Sequence, residues 1–456
     1  MEKKSNNSKS AGIIRAWKLL YVLLISGMFW GCWMLYYLPQ MKDIYYWRGN
    51  LVLFLAYALF SAYMLSRFEG FNLGVFRNRD VMYSQAVALT VSDFAAYVII
   101  FLLIEKLPEV VHLLALLVLQ LVVSSVWIYV GNRIYFSLYK PKKTVIVYEN
   151  ESEVEKIKNT PYFENKFQVL EEIKYAEKTE DFSGIISENA ECVFVTGIDA
   201  ESRNKLIQYC LRNGLYCCSL PNLGDIILAG AVTDCLNGEV VMNTQRKIIN
   251  PDYALVKRAF DIIASLLGLL LLSPLLIVIS FMIAAYDNGP VIYKQIRLTK
   301  DGREFMLWKF RSMRVDAEKD GIARLAAEDD DRITPVGKFI RKCRIDELPQ
   351  LVNILKGDMS LVGPRPERPE IAEQYEEKLP EFRLRLQVKA GLTGYAQVYG
   401  KYNTEPYEKL QMDLLYINKM SLLEDAKLIF TTIKILFKKE STEGINPDQI
   451  TAMSDK

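Results

Sequence analysis

Apolar and polar positions divide the chain into differently patterned stretches. In the first third, four runs are almost wholly apolar: Leu19 to Leu38, Gly49 to Ser66, Val81 to Ile104 and Val110 to Asn132. Each is near the ~20 residues that a membrane-spanning helix needs, so four transmembrane helices are predicted over residues 1–140. Positive charge sets their orientation. The N-terminus, the Arg67 to Asp80 loop and the Arg133 to Lys143 exit carry twelve Lys and Arg, against Lys42, Arg48 and Lys106 in the two other short loops. Cytoplasmic loops hold the excess, which places both ends of the bundle in the cytoplasm. No small-residue cleavage pattern follows the first apolar run, so it reads as a retained anchor and not a removed signal.

From about Lys143 the pattern changes. Thr144 to Tyr148 and Cys192 to Thr196 read as short buried strands between charged, helix-capable stretches, which predicts an α/β, Rossmann-like domain over residues 141–245. The turn after the first strand, Tyr148-Glu-Asn-Glu-Ser152, lacks the glycine that would let backbone approach a pyrophosphate. A structural, regulatory or oligomerising role is expected of this domain. Ile262 to Ala285 then runs for 24 residues without a charge. A full span would put one of its basic flanks, Lys257-Arg258 or Lys294 to Arg303, on the wrong side of the membrane. Pro274 removes a backbone donor midway and Ser273 can satisfy the freed carbonyl, so a re-entrant helix that leaves on the side it entered is preferred to a kinked span.

The remainder, to about Thr442, is polar with amphipathic segments. With the re-entrant helix it is read as a mainly α catalytic domain over residues 250–442, followed by a tail, 443–456. Near its end Leu422, Leu423, Ile429, Phe430, Ile433, Leu436 and Phe437 alternate with Lys427, Lys434, Lys438 and Lys439, a pattern that suits a basic helix on the membrane surface or one packed into a core.

Composition narrows the chemistry. Among 456 residues, 51% are hydrophobic and 24% charged, with a formal charge of only +2, which argues against nucleic acid as a main ligand. The only histidine, His112, lies near a predicted helix end and reads as structural, so His-based zinc sites and acid–base relays are excluded. Carboxylates must carry any chemistry. The seven cysteines form no CxxC pair and read as reduced thiols. Asp93, deep in the third apolar run, marks either a partner within the bundle or a pathway.

The candidate site is Arg344-Ile-Asp-Glu-Leu-Pro-Gln350, where Asp346 and Glu347 open a helix with apolar residues at Leu348, Leu351, Val352 and Leu355. Alone, such a pair is an ordinary helix start. Its surroundings alter that reading, because Lys309 and Arg311 lie upstream, Arg341 and Arg344 just before it, and Arg365 beyond. Cations gathered around a carboxylate pair make a place for phosphate oxygens, which a Mg²⁺ ion would complete.

Lys309-Phe-Arg-Ser-Met313, Asp346-Glu-Leu-Pro-Gln350 with Asn353, Gly357-Asp-Met-Ser360, Val362-Gly-Pro-Arg-Pro366 and Gly391-Leu-Thr-Gly-Tyr-Ala-Gln397 together resemble the bacterial sugar transferases, the monotopic phosphoglycosyl transferases. The likeness spans about residues 250 to 442. It implies a hexose-1-phosphate transferase that takes glucose or galactose from a UDP-hexose to undecaprenyl phosphate and primes capsule or exopolysaccharide synthesis. It further implies Asp346 as nucleophile, Glu347 beside it in proton transfer or Mg²⁺ binding, and Lys309, Arg311, Arg341 and Arg365 as phosphate holders. Asp413 matches a further active-site acid, and Ser273-Pro274 the family's helix break. A bacterial inner-membrane enzyme facing the cytoplasm is expected, with membrane lipid as a partner and a homodimer allowed. The reading from another class is a non-catalytic scaffold or regulator of polysaccharide assembly. Two positions depart from the family: Thr299, where glycine is common, and Ala390, where proline is.

Overall fold

The computed structural model describes residues 2–41, 47–175, 186–187, 189–315, 332–400 and 404–436. The expected tail, 443–456, and Phe437, Lys438 and Lys439 lie outside them. The chain forms two compact units, Met1–Leu220 and Pro221–Lys456.

The first unit opens with four long helices: α1 (Glu2–Cys32, continued in tighter and wider turns to Gln40), α2 (Trp47–Arg67), α3 (Asn78–Ile104) and α4 (Val111–Leu138). All four are long and apolar enough to cross a membrane. Their outward faces carry residues such as Leu59, Phe94 and Leu102, while the polar groups turn inward and pair. Tyr57 donates to Asp93 at 2.6 Å and accepts from Gln120 at 3.0 Å. Tyr21 donates to Gln85 and bonds Ser124. Asp93 thus has its partner inside the bundle, as one of the two readings required. His112 stacks on Tyr36 near the start of α4.

The α/β region follows. Strands β1 (Lys142–Tyr148), β2 (Phe167–Lys174), β3 (Cys192–Thr196) and β4 (Tyr216–Ser219) form one parallel sheet in the order β2-β1-β3-β4. Helices α5 (Glu151–Lys158), α6 (Phe163–Lys166) and α7 (Ala200–Arg212) lie between them in the chain. Val145, Val147, Val193, Val195 and Leu206 form one core and Ile146, Val154, Ile157 and Phe163 another, so β1 is buried on both faces.

The second unit begins with α8 (Leu223–Ala229), whose Asn222 and Asp225 form a reciprocal cap, and the hairpin β5 (Val232–Leu236) and β6 (Glu239–Asn243). This unit starts at Pro221, ahead of the boundary near residue 245 expected from composition, because α8 packs against the later helix Pro406–Lys419.

Helix α9 (Pro251–Asp287) follows, with Pro251 in its first turn and the Asn250 side chain accepting from Asp252 N–H. It continues through Pro274, which cannot donate to the Leu270 carbonyl; the Ser273 hydroxyl does so instead, at 2.7 Å. Both limbs rest on the same region. Before the proline, Arg258 donates to the Ile354 and Leu355 carbonyls, Asp261 accepts from Leu361 N–H, and Leu269 packs beside Phe305 and Leu307. After it, Ile279 and Ile283 pack on Phe310 and Ile340, and Asp287 pairs with Arg311. Leu270, Leu271, Ile277 and Phe281, around the proline, are exposed.

The rest of the unit is built from the hairpin β7 (Ile292–Leu298) and β8 (Glu304–Phe310), helices α10 (Pro335–Lys342) and α11 (Gln350–Lys356), strand β9 (Ser360–Val362), helix α12 (Pro369–Lys378), a 3-10 stretch Pro380–Gln387, strand β10 (Gly391–Thr393) and helices α13 (Tyr395–Tyr399), α14 (Pro406–Lys419) and α15 (Leu422–Leu436). Strands β9 and β10 run parallel and so close that a Cβ on Gly391 would stand 2.0 Å from Gly363 N. Only glycine permits that approach. Helix α15 is a core helix here: Leu428 is fully buried, and Asp425 binds Tyr253, Lys257 and Tyr416.

Candidate active site

Asp346 and Glu347 sit in a 3-10 turn, Ile345–Glu347, and not in the first turn of a longer helix as the apolar spacing suggested. Pro349 has no N–H to close an α-helical bond to the Ile345 carbonyl, so Leu348 N–H takes it in a tighter turn at 3.1 Å. The regular helix α11 starts at Gln350. Arg344, just before the turn, is held at φ 53° and ψ 23°, a region that non-glycine residues rarely occupy. That conformation swings the chain so that Arg344 itself faces Glu347, with 3.7 Å between the charged atoms.

Glu347 is the anchored member of the pair. Its Oε1 accepts from Lys309 at 3.1 Å and from Arg365 at 2.9 Å. Burial alone would raise this carboxyl, but Arg365, Lys309 and Arg344 together hold it well below its ordinary 4.5. Asp346 differs. Among the described residues it makes no hydrogen bond or ion pair. Burial raises it above the ordinary 3.8, against the pull of Lys309, Arg341 and Arg365, and the Glu347 charge adds to the rise. One carboxylate is thus locked into a cationic clamp and its neighbour is left with unspent acceptor oxygens.

The clamp is held from behind. Asn353, on α11, donates to Met306 O at 2.7 Å and accepts from Trp308 N–H at 3.0 Å, which fixes the strand that delivers Lys309. Arg385 donates to the Arg365 carbonyl at 2.8 Å and, from Nε, to Asp413 at 2.8 Å. Burial lifts Asp413 to about 6, against the pull of Arg385. Glu367 stands 3.6 Å from Arg385 and 3.8 Å from Arg297, which donates to the Pro366 carbonyl. The Pro364-Arg-Pro366 segment is therefore suspended from buried guanidinium groups on both sides.

The structure gathers Lys309, Arg341, Arg365, Asp346 and Glu347 into one place. It does not bring Arg311 there: this guanidinium, 7% exposed, forks onto Asp287 at the end of α9. Asp413 is 1% exposed and reaches the pair only through Arg385 and Arg365. Sequence reasoning missed Arg385, Glu367 and Arg297 as supports. Arg385 lies in an ordinary-looking Arg-Leu-Arg-Leu run, and nothing local marks it as the buried one. The two family departures meet directly: Thr299 Oγ1 accepts from Ala390 N–H at 3.2 Å and donates to Asp358 O at 2.8 Å.

No group of three or more His, Cys, Asp or Glu residues suited to a metal occurs among the described residues. Glu347 already faces three cations, leaving Asp346 as the available hard ligand. One carboxylate with substrate phosphates is a common Mg²⁺ environment, so the donor set fits an ion that arrives with its substrate.

Residues 252–439 match the family model for bacterial sugar transferases. Over 134 residues the chain is 50% identical to a Bacillus subtilis protein provisionally named as an undecaprenyl-phosphate N-acetylgalactosaminyl 1-phosphate transferase, covering 29% of this chain and 74% of that one. It is 42% identical over 190 residues to the UDP-N-acetylgalactosamine-undecaprenyl-phosphate N-acetylgalactosaminephosphotransferase of Aeromonas hydrophila, covering 41% of this chain and 45% of the relative. With the UDP-glucose:undecaprenyl-phosphate glucose-1-phosphate transferase of Klebsiella pneumoniae it shares 40% over 219 residues, 47% of each chain. The matched segment thus spans less than half the length of these last two relatives.

Proposed function

We propose that this chain, which belongs to the bacterial sugar transferase family, moves hexose 1-phosphate from a UDP-hexose to undecaprenyl phosphate. The observation that carries the reading is the division of labour within the acidic pair: Glu347 is held by Lys309, Arg344 and Arg365, while Asp346 keeps its oxygens. The Asp346 carboxylate attacks the β-phosphorus, the bridging P–O bond breaks, and UMP leaves. A phosphate oxygen of undecaprenyl phosphate then attacks the same phosphorus and releases Asp346, giving undecaprenyl-diphospho-hexose in a ping-pong cycle. Lys309, Arg341 and Arg365 bind phosphate oxygens and offset the charge that builds on them. Bound Mg²⁺ would be held by Asp346 and the diphosphate and would neutralise part of that charge.

The long apolar helices make this a membrane protein. The finer placement is part of the proposal: an inner-membrane enzyme with its catalytic region on the cytoplasmic face, a Rossmann-like middle domain, and α9 re-entering. Both limbs of α9 anchor on one polar region, so a helix crossing the whole bilayer would have to pull one set of anchors, Arg258 and Asp261 or Asp287 and Arg311, away from it. Glucose or N-acetylgalactosamine is the sugar by kinship with the named relatives, galactose stands beside them from the sequence reading, and capsule or exopolysaccharide priming is the role proposed.

The test is to mix purified protein with radiolabelled UDP-sugars and Mg²⁺, without lipid acceptor. UMP release with label retained on the protein and lost in Asp346→Asn is the expected result. No UMP from any UDP-sugar would return the pair to a helix-start role and leave a scaffold.

A further inference from the structure

The hairpin of β7 and β8 has two faces, because alternate residues of a strand point to opposite sides. One face is fully used. Phe305 and Leu307 pack in the core, Arg297 holds the Pro366 carbonyl, and Lys309 reaches Glu347. The other carries, pair by pair, Ile292 and Phe310, Lys294 and Trp308, Ile296 and Met306, then Leu298 and Glu304. Ile279 and Ile283 of α9 cover the first pair; beyond it Ile296 and Met306 are 45% and 44% exposed and Trp308 is half-buried. Lys294 and Lys356, the latter from the end of α11, stand 5.1 Å and 4.1 Å from the centre of the Trp308 ring. Among the described residues neither lysine is paired with a carboxylate.

We infer that this open face of the hairpin rests on the surface of an anionic phospholipid bilayer, with Lys294 and Lys356 on lipid phosphates and Trp308, Ile296 and Met306 at the headgroup boundary. The inference depends on α9 lying in the membrane, since the face continues directly from the pair that α9 covers. Its chemistry suits lipid better than protein. Tryptophan and lysine are anchors of the membrane–water boundary, and long ammonium side chains reach phosphates while their stems lie on apolar surface. Protein interfaces are poor in lysine, and these few side chains fall well short of the roughly 20–30 residues per side that a stable one uses. Glu304, on the last pair, ends the patch with a charge that lipid phosphate repels. Docking here sets the height of Lys309, next in the chain to Trp308, above the lipid that supplies the acceptor phosphate.

The test uses full-length protein in nanodiscs of phosphatidylcholine and phosphatidylglycerol, with the exposed Cys235 and Cys343 replaced by serine. A bimane label is placed on Ile296→Cys or, in α9, on Leu270→Cys, and its quenching by brominated lipid and by aqueous iodide is read. Lipid quenches both labels, and the Ile296→Cys label is shielded from iodide. Its quenching by lipid falls about twofold or more in pure phosphatidylcholine, at high salt, and in Lys294→Gln with Lys356→Gln, a variant that unfolds at the wild-type temperature. A Leu270→Cys label that lipid does not quench removes α9 from the membrane and this inference with it. A quenched Leu270→Cys label beside an Ile296→Cys label open to iodide and untouched by lipid overturns the docking alone. Shielding from iodide without quenching by lipid gives the face to a protein surface, a second copy included, and overturns it too, as does quenching indifferent to lipid charge.

Discussion

In the membrane bundle, Tyr57 donates a hydrogen bond to Asp93 and accepts one from Gln120, and Tyr21 joins Gln85 to Ser124. In the candidate active site, Glu347 collects Lys309, Arg344 and Arg365, and Asp413 is held by Arg385. Both networks are buried and both contain carboxylates, yet they are built differently. The first joins its carboxylate to hydroxyls and amides, with Asp93 Oδ2 and Gln120 Oε1 left over, and sets no cation of the described residues in a hydrogen bond or ion pair with Asp93. The second surrounds its acids with guanidinium and ammonium groups and leaves one acid, Asp346, unbonded among the described residues. Burial of a carboxylate is therefore a poor guide to function by itself; surplus cation beside an uncommitted oxygen is the better one.

The sharpest challenge to that contrast is to exchange the acids for amides. Asp346→Asn should lower UMP release by on the order of 10⁴-fold or more, since it removes the attacking group, while the protein still inserts into membranes. Asp413→Asn should come next. It removes one of the two carboxylates beside the buried Arg385 and leaves Glu367 as the other, which costs about 1–3 kcal/mol in thermal or denaturant unfolding, and it loosens Arg365, so transfer falls as well. Lys309→Met acts on acidity. Asp346 must be ionised to attack and its carboxyl is already raised, so the acid limb of the pH–rate profile should lie above 3.8 in the wild type. Removing Lys309, which pulls that carboxyl down, should move the limb to still higher pH. The smallest effect belongs to the bundle: Asp93→Asn keeps an oxygen for Tyr57, so unfolding should change by ~1 kcal/mol or less and UMP release hardly at all. Loss of transfer in that variant would break the comparison.

Much of this was readable beforehand. The four apolar runs became α1 to α4 because their length against the bilayer leaves little choice. At Ser273-Pro274 the hydroxyl finds the carbonyl that proline abandons, as expected, but the expected break is not seen: α9 runs on through the proline as one helix. What stayed hidden depends on residues far apart in the chain. The difference between Asp346 and Glu347 comes from Lys309 and Arg365, and the importance of Arg385 from Asp413, separations over which periodicity says nothing. The Arg311 position misled because its motif neighbour Lys309 does face the pair, while Arg311, two places on, is claimed by Asp287.

The Thr299 and Ala390 contact carries a lesson for anyone grafting family-typical residues onto this chain. Proline at 390 would leave the threonine hydroxyl without its donor, and glycine at 299 would strand the alanine amide in a dry interior. Each swap alone should do more harm than both together, so the two sites are best viewed as a single inherited unit, to be replaced as one or left alone.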